Sequence, residues 1–354
     1  MRIAVVGAGA VGTRIARHLL APGPPSHVGD WAAEPVEVTL VHRSQPRLTF
    51  ACRDLGVPVR SVCGGPSDLP DDVDVVVLTI PSGVRAGAEA ALERGAHVVS
   101  TCDDPAEVHG LLALDAEGRE RRRSVAVGVA FAPGVSCVLA RWAGQRLHRV
   151  TEVHVASMGT GGPACARRHH RSLSSPALDY HDGAWIRRPG GSGRELVWFP
   201  EPVGGSDCYR AGMCDPILLE PAFPGVRKVT ARLEATRRDR LTAWLPMLRP
   251  PHPEGLRGAV RVEVRGFVGG AADTMAVGAS APPALAAGAA AATTAVWAGS
   301  GLLARSGAGG LAEMIDRPAD WLRDLGHRGI HTSIFQGADT LDSTPSCADD
   351  GRAR

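Results

Sequence analysis

Three glycines near the amino terminus, Gly7, Gly9 and Gly12, have the spacing that binds the diphosphate of a dinucleotide. They follow an apolar run, Ile3 to Val6, and precede a helix-compatible stretch, Thr13 to Leu20. Gly7 permits a tight strand-to-helix turn, Gly9 lets the backbone approach a pyrophosphate, and Gly12 lets the helix pack closely on the strand. A tight turn without a ligand is the alternative, but three glycines would weaken such a turn for no gain. The predicted diphosphate-binding residues are Gly7, Ala8, Gly9, Ala10, Val11 and Gly12.

The end of the second predicted strand indicates which nicotinamide dinucleotide binds. NAD-binding folds usually carry an acidic residue there, which bonds the ribose 2′-hydroxyl. This sequence has His42, Arg43 and Ser44 instead. Arg43 would attract a 2′-phosphate and Ser44 could donate a hydrogen bond to it, with a weaker contribution from Arg47. These residues favour NADP over NAD; the alternative is that Arg43 is one more surface arginine in an arginine-rich chain.

Three clusters in the second half of the chain could act on a small-molecule substrate. Reduction of an imine or a ketone needs a proton donor and cations that hold a carboxylate. The clusters are a Gly-rich turn with basic residues at 160–171, a polar stretch at 179–183 and a Gly-rich stretch at 204–210. The alternatives are an exposed basic helix face for the first and polar turns for the other two. Candidate catalytic residues are Tyr180, His169 and His181, and candidate substrate-binding residues are Arg168, Tyr209 and Arg210.

The composition argues against several other classes of function. The net charge is +2 and aromatic residues make up 4% of the chain, so we expect neither nucleic acid nor a membrane as partner. None of the eight cysteines forms a CxxC pair and no His/Cys cluster has zinc spacing, so we expect no metal site. Reduced thiols and the absence of a signal peptide before the first strand predict a cytoplasmic protein.

The elements that must position these residues follow from the hydrophobic pattern. Strands alternate with helices in the first part of the chain, and the clearest strand is the β-branched run from Val73 to Ile80. Such a run is typical of a strand buried on both faces of a parallel sheet. The pattern predicts an α/β fold with an amino-terminal Rossmann domain at 1–134, built on a doubly wound parallel sheet.

The second half changes character, with strands at 150–156, 195–199, 226–234 and 259–266 and a Gly-linked hairpin at 265–279. This pattern predicts an α+β substrate and dimerisation domain at 135–284, built on an open, largely antiparallel sheet. Helices within 285–335, beginning with an Ala-rich helix near residue 284, are expected to pack back on the Rossmann domain, with a loop at 307–310. Residues 21–35 are interpreted as a surface insertion, and 336–354 as a disordered tail.

Several segments resemble the saccharopine dehydrogenase-like (saccharopine reductase-like) family of NAD(P)-binding oxidoreductases. They are the glycine loop, the run from Asp74 to Pro81, the segment from Gly95 to Asp103, the sequence Ala132-Pro133-Gly134, and the Ala-rich helix with the Gly-rich turn and Arg317-Pro318 that follow it. The resemblance implies a Rossmann domain joined to a second sheet, and a nicotinamide cofactor.

By this resemblance, Ile80, Pro81 and Ser82 pass beside the nicotinamide ribose, and Thr101 and Cys102 lie close to the nicotinamide. Saccharopine-forming members typically carry an acidic residue just before the Pro-Gly pair, where this chain has Ala132. The resemblance therefore implies the fold and the cofactor, and a substrate other than saccharopine.

Together these observations predict an NADP-dependent oxidoreductase that reduces a C=N or C=O bond of an amino-acid-derived or specialised metabolite. A homodimer is expected by analogy with similar open sheets. Two other functions stay open: a catalytically silent dinucleotide-binding partner or sensor, and an enoyl reductase acting on a carrier-bound chain. The lack of a recognisable catalytic dyad is compatible with the first, and an apolar tunnel in place of a cationic pocket would favour the second.

Overall fold

A computed structural model describes residues 1–21, 36–247, 250–252, 255 and 257–335 of the chain, and its strands form two sheets. The strands are β1 (Arg2–Val6), β2 (Glu37–His42), β3 (Arg60–Cys63), β4 (Val75–Leu78), β5 (His97–Ser100), β6 (Ser124–Val127), β7 (Arg149–Met158), β8 (Ala177–His181), β9 (Ala184–Arg188), β10 (Glu195–Phe199), β11 (Gly204–Arg210), β12 (Lys228–Glu234), β13 (Ala259–Val268), β14 (Ala271–Ser280), β15 (Gly307–Gly310) and β16 (Thr332–Phe335). The helices are α1 (Ala10–Leu20), α2 (Gln45–Leu55), α3 (Val84–Glu93), α4 (Pro105–Leu112), α5 (Asp115–Glu120), α6 (Val135–Gly144), α7 (Pro163–Ser172), α8 (Asp215–Leu219), α9 (Arg237–Thr242), α10 (Pro283–Gly299), α11 (Leu311–Met314) and α12 (Pro318–His327).

The first sheet is parallel throughout and has the strand order β15-β6-β5-β4-β1-β2-β3. All four side chains of β4 are buried, as the continuous β-branched run in the sequence predicted. The strand order reverses between β1 and β4, and open α/β sheets bind ligands beyond the carboxyl ends of their strands at such a point. The predicted Rossmann architecture is therefore confirmed, and its topology indicates where to look for a site.

The glycine-rich segment at 307–310 forms an edge strand of this sheet, where the sequence predicted a loop. It is β15, which pairs in parallel with β6 and is buried at every position. A Cβ on Gly310 would lie 2.8 Å from the carbonyl oxygen of Leu218, and one on Gly309 would lie 2.6 Å from the guanidinium of Arg305. Neighbouring atoms leave no room for the β-branched residues that usually mark a strand, which is why the pattern was misread.

The second sheet is largely antiparallel, as predicted, with the order β10-β11-β12-β7-β13-β14-β16 and with β8 and β9 attached to β12. Its one parallel pair among the described strands is β12 with β7. The predicted hairpin is present as β13 and β14, which pair along their full length. Gly269 and Gly270 form its turn with φ angles of +58° and +89°, a conformation that glycine adopts without strain.

The Ala-rich helix α10 is buried along almost its whole length and packs against α1. A Cβ on Gly288 of α10 would lie 2.7 Å from the Cβ of Arg14, so small residues let the two helices approach closely. Trp321 of α12 donates a hydrogen bond to Thr294 of α10, at 3.3 Å. No helix formed by the described residues has the length and apolar character needed to cross a lipid bilayer.

The two segments that the sequence analysis set apart from the domains fall almost wholly outside the described residues. Of the expected surface insertion at 21–35, the structure describes Ala21 alone, and it describes none of the expected tail at 336–354. Both interpretations stay predictions from the sequence.

Candidate functional site

The glycine loop is the turn that joins β1 to α1, and two of its glycines are required by the fold itself. Gly7 has a φ angle of +115°, and a Cβ there would lie 2.6 Å from the carbonyl oxygen of Thr79. A Cβ on Gly12 would lie 1.7 Å from the carbonyl oxygen of Gly7. Strand and helix can meet this closely only because both positions lack a side chain.

Gly9 differs from these two glycines, because a Cβ there would meet no atom of the described residues within 4 Å. It is the N-cap residue of α1, a helix with no side-chain cap and no acidic residue in its first turn. The first N–H groups of a helix have no partner within it, and they attract anions. The open space in front of this helix end fits the diphosphate of a dinucleotide.

A cavity of about 940 Å³ begins at this space and runs toward the second sheet. The carboxyl ends of β1, β2, β4 and β5 line one side of it, and the first turns of α7 line the other. Most residues predicted to contact the cofactor line this cavity: Gly7, Gly9, Ala10, Val11, His42, Arg43, Ile80, Pro81, Ser82, Thr101 and Cys102.

The remaining three predicted cofactor residues do not line the cavity. Ala8 and Gly12 are buried beneath the loop. Ser44 is the N-cap residue of α2, and its backbone N–H donates a hydrogen bond of 2.9 Å to Nδ1 of His42. The Ser44 hydroxyl is therefore not a lining group, whereas Arg47, the weaker candidate, does line the cavity.

Arg43 and Arg47 give the end of β2 a positive charge. Both side chains are exposed, and within the described part of the chain neither guanidinium has a hydrogen-bond or ion-pair partner. Between β2 and α2, burial lowers the pKa of His42, and the two arginines add to this effect. Because Nδ1 of His42 accepts the Ser44 N–H, the neutral ring carries its proton on Nε2. This end of the cavity offers donors and cations, which suits a phosphate.

Asp103, Arg168 and His169 form a buried charged cluster at the opposite end. Asp103 follows β5 directly, and the other two residues lie on α7. Nε of Arg168 lies 3.1 Å from Oδ1 of Asp103, and Nε2 of His169 lies 3.2 Å from Oδ2. Arg168 also donates hydrogen bonds to the carbonyl oxygens of Asp103 and Gly212. Arg168 is thus committed to contacts within the protein.

Burial opposes every charge in this cluster, but the partners outweigh it. Burial would raise the pKa of Asp103, yet the hydrogen bond from His169 and the charge of Arg168 leave it below its usual value. Burial would lower the pKa of His169, but Cys165 and Asp103 raise it to about 10. Burial also raises the pKa of Cys102, beside Asp103, to about 12, so Cys102 is a thiol.

Cys165 extends the cluster toward the cavity. It lies one helical turn before His169 on α7, and its Sγ is 3.6 Å from Nε2 of His169. Oδ2 of Asp103, Sγ of Cys165 and Nε2 of His169 all lie within 4.8 Å of one another. The absence of a CxxC pair and of a zinc-spaced His/Cys cluster led to the expectation of no metal site, but Cys165 and His169 stand four residues apart on α7.

Two further arginines of α7, Arg167 and Arg171, line the cavity one helical turn apart. In contrast to Arg168, neither has a hydrogen bond from its guanidinium or an ion pair among the residues that the structure describes. They are the cations of this region that remain available to a ligand. The first candidate cluster of the sequence analysis therefore divides into a buried, paired part and a part that faces the cavity.

A second buried acid, Asp215, lies behind the cluster at the start of α8. It has no solvent exposure, and Oγ of Ser136 donates a hydrogen bond of 2.6 Å to its Oδ1. Its Oδ2 is buried, and none of the residues that the structure describes forms a hydrogen bond with it. Burial raises the pKa of Asp215 to about 6, although the hydrogen bond from Ser136 opposes the rise.

Four other candidate residues lie away from the cavity, in strands where the sequence predicted polar turns. Tyr180 and His181 are on β8, and Tyr209 and Arg210 are on β11. Tyr209 is 1% exposed within the hydrophobic core, with the guanidinium of Arg240 over its ring.

Two of these four residues line a second, separate cavity. His181, paired with Asp182 at 3.0 Å, and Arg210, paired with Asp179 at 3.3 Å, line this charged cavity of about 320 Å³ on the second sheet. The structure thus does not bring Tyr180, His181, Tyr209 or Arg210 to the cavity of the glycine loop, and their catalytic and substrate-binding roles stay predictions. Of the candidate catalytic and substrate residues, the structure brings His169 and Arg168 to the cavity of the glycine loop.

No known family description and no curated protein matches this sequence. Solved structures do share its fold. Apo saccharopine dehydrogenase (L-Glu forming) from Saccharomyces cerevisiae is 14% identical, with a TM-score of 0.64, over 95% of this chain and 100% of that one. Homospermidine synthase from Legionella pneumophila, in complex with NAD, is 13% identical, with a TM-score of 0.65, over 99% and 95% of the two chains.

Amine dehydrogenase from Mycobacterium smegmatis is 13% identical, with a TM-score of 0.52, over 90% of this chain and 98% of that one. At such identities a likeness shows the fold. The resemblance to the saccharopine dehydrogenase-like family is therefore confirmed at the level of the fold, over nearly the whole chain.

Proposed function

We propose that the protein is an NADP-dependent oxidoreductase that reduces the C=N or C=O bond of a small anionic metabolite. One observation carries this proposal. A single cavity joins the open space before α1, the unpaired arginines at the end of β2 and the charged cluster of Asp103 and His169. A dinucleotide lying along the carboxyl ends of the strands would reach all three, with its nicotinamide end toward Asp103.

The amino-terminal half would bind and orient the cofactor. The N–H groups at the start of α1 would bind the diphosphate, and Arg43 with Arg47 would bind the 2′-phosphate. Ile80, Pro81 and Ser82 line the cavity between these groups and the cluster, where the nicotinamide ribose would lie. Bound there, the reduced nicotinamide supplies a hydride.

The carboxyl-terminal half would bind the substrate and stabilise charge on the reduced bond. Arg167 and Arg171, unpaired and facing the cavity, suit a carboxylate or another small anion. Cys165 and His169 would face the nitrogen or oxygen atom that becomes electron-rich as hydride arrives. Arg168 would act as a positioning residue, because its contacts hold Asp103 and thereby His169.

Two features favour this assignment over an enoyl reductase acting on a carrier-bound chain. The far end of the cavity carries charged and titratable groups, whereas an acyl chain would need an apolar tunnel. The titles of the similar structures name a saccharopine dehydrogenase, a homospermidine synthase and an amine dehydrogenase. The last of these names describes oxidation of an amine, which is chemistry at a bond between carbon and nitrogen, and this supports an imine as the group reduced.

The test combines cofactor binding with turnover. Fluorescence titration with NADPH and NADH should show binding of both, with tighter binding of NADPH. Oxidation of NADPH should then be followed on keto acids mixed with primary amines, with matched aldehydes that lack the carboxylate as the control. Turnover should require the carboxylate. Lack of binding to either cofactor would reject the proposal, and binding without turnover on any mixture would favour a sensor.

A further inference from the structure

We propose that Asp103, Cys165 and His169 form a binding site for one divalent transition-metal ion, for which Zn²⁺ is the best match. One potential ligand atom from each residue, Oδ2, Sγ and Nε2, falls within a sphere that a single ion could occupy, since all three lie within 4.8 Å of one another. The binding proposal rests on this geometry alone. Only the ion's role in reduction rests on the proposed function.

The three donors match zinc in type and in number. Catalytic zinc sites commonly have three protein ligands drawn from cysteine, histidine and carboxylate, and keep the fourth position open. Cys165 and His169 lie one turn apart on α7, the spacing at which two helical side chains share one ion. All three residues line the cavity, so a fourth ligand could come from solvent or from a substrate.

The contacts among the three donors are also compatible with a shared ion. The one hydrogen on Nε2 of His169 faces two acceptors, Oδ2 of Asp103 at 3.2 Å and Sγ of Cys165 at 3.6 Å. The distance to Oδ2 exceeds that of a typical charge-assisted hydrogen bond. An ion in place of that hydrogen would give each of the three atoms its own bond.

Residues around the ligands hold Asp103 in a fixed orientation. Nε of Arg168 binds Oδ1 at 3.1 Å, which leaves Oδ2 directed at His169, and the thiol of Cys214 donates to the Asp103 carbonyl oxygen at 2.9 Å. Such outer contacts orient ligands and tune metal affinity. If the proposed function holds, the ion would act as a Lewis acid on the oxygen or nitrogen of the bond being reduced.

The test uses the full-length, tag-free protein, freed of metal with a chelator and then titrated with Co²⁺ and with Zn²⁺. We expect one ion per chain after dialysis, and for Co²⁺ the visible bands of a tetrahedral site together with a thiolate charge-transfer band. Cys165→Ser should lose the thiolate band and bind Co²⁺ more weakly by at least about tenfold, the scale of disturbing a metal site. Cys63→Ser, an exposed cysteine outside the cluster, is the matched control and should bind as the wild type does.

Two outcomes would overturn the metal site: no ion retained by the wild type, or equal thiolate bands in the Cys165→Ser and wild-type proteins. Far-UV circular dichroism of the same samples verifies that each variant is folded. NADPH titration separates the two proposals, because a protein that binds NADPH without Co²⁺ rejects the metal alone. One that binds Co²⁺ without either nicotinamide dinucleotide rejects the oxidoreductase and leaves the metal site standing.

Discussion

Asp103 and Arg168 form a buried ion pair across the join between β5 and α7, with Oδ1 and Nε 3.1 Å apart. Their side chains are 19% and 12% exposed, so neither charge is well solvated once its partner is gone. Each partner stabilises the charge of the other, because the pKa of Asp103 is lowered and that of Arg168 is raised despite burial. The pair connects the first sheet to the helix that carries Cys165 and His169.

We expect Asp103→Ala to lower the free energy of unfolding by about 3 kcal/mol, since it leaves the Arg168 charge buried and unpaired. Urea denaturation in the presence of a chelator measures this without any contribution from metal. Asp103→Ala combined with Arg168→Met should recover much of the loss. Asp54→Ala, which breaks the exposed pair with Arg17, is the control and should cost less than about 1 kcal/mol. Equal losses of unfolding free energy in Asp103→Ala and Asp54→Ala would show that burial does not strengthen the interaction between Asp103 and Arg168.

The preference for NADP is expected to depend on Arg43. Arg43→Glu should weaken NADPH binding by about 1–3 kcal/mol, the scale of a charge-assisted hydrogen bond, and should leave NADH binding nearly unchanged. Fluorescence titration with both reduced cofactors measures the difference. Arg187→Glu makes the same charge change on the exposed strand β9, away from the cavity, and should affect neither cofactor. An equal loss for NADPH and NADH would contradict the assignment of Arg43 to the 2′-phosphate.

Substitutions of two glycines in the same loop are expected to have different effects, one on cofactor binding and the other on stability. Gly9→Ala adds a methyl group to open space, so thermal stability should stay close to that of the wild type. Binding of both cofactors should fall by at least about tenfold, or roughly 1.4 kcal/mol, because the methyl group occupies the path of the diphosphate.

Gly12→Ala is the contrasting variant, because its Cβ would collide with the carbonyl oxygen of Gly7. It should lower the unfolding free energy by about 1–3 kcal/mol, measured by denaturation without ligand. If Gly9→Ala bound NADPH as the wild type does, the space before α1 would not be a diphosphate site.

Asp215 should make the free energy of unfolding decrease as pH rises, whereas an acid held in a salt bridge makes it increase. Its folded pKa of about 6 lies above the ordinary value of 3.8, so the native state binds this proton more tightly than the unfolded chain does. The stability that this difference in pKa contributes is fully present below the pKa of the unfolded state and is lost as pH rises through the pKa of the folded state.

The measurement is urea denaturation of the wild type and of Asp215→Asn, which keeps an acceptor for Ser136 and does not titrate. Relative to the variant, the wild type should lose on the order of 1 kcal/mol between about pH 5 and about pH 8. A constant difference between the two proteins over that range would mean that Asp215 does not titrate as described.

The parts of the fold that could be predicted from sequence are those where one local pattern dominates. The run from Val75 to Leu78 is apolar and rich in β-branched residues, and the glycine loop combines two positions that the fold requires to be glycine with one that is open to a ligand. β15 could not be recognised as a strand, because its glycines are required by close neighbours elsewhere in the fold, such as the Leu218 carbonyl oxygen beside Gly310, and no local pattern records such a contact. Tyr209 was predicted to bind substrate from a Gly-rich stretch, but it is a core residue of β11.

Some residues of the candidate site could be predicted from the sequence, but their arrangement in space could not. Arg168 and His169 stood out as part of a basic cluster, whereas Asp103 was not among the candidate residues. Their pairing needs β5 and α7 to meet in space, although the residues are far apart in the chain. The roles of Arg167, Arg168 and Arg171 likewise could not be separated by composition, because only the packing of α7 decides which of them has a partner.

The position of the edge strand β15 in the chain has a consequence for folding during synthesis. The strand β6 is synthesised early, but the strand that covers its edge is made only after β7 to β14 of the second sheet. Until then the nascent chain carries an open row of peptide N–H and C=O groups, which can pair with another polypeptide. Chains released before residue 307 would keep that open edge permanently, so premature termination should yield aggregates rather than a soluble amino-terminal half.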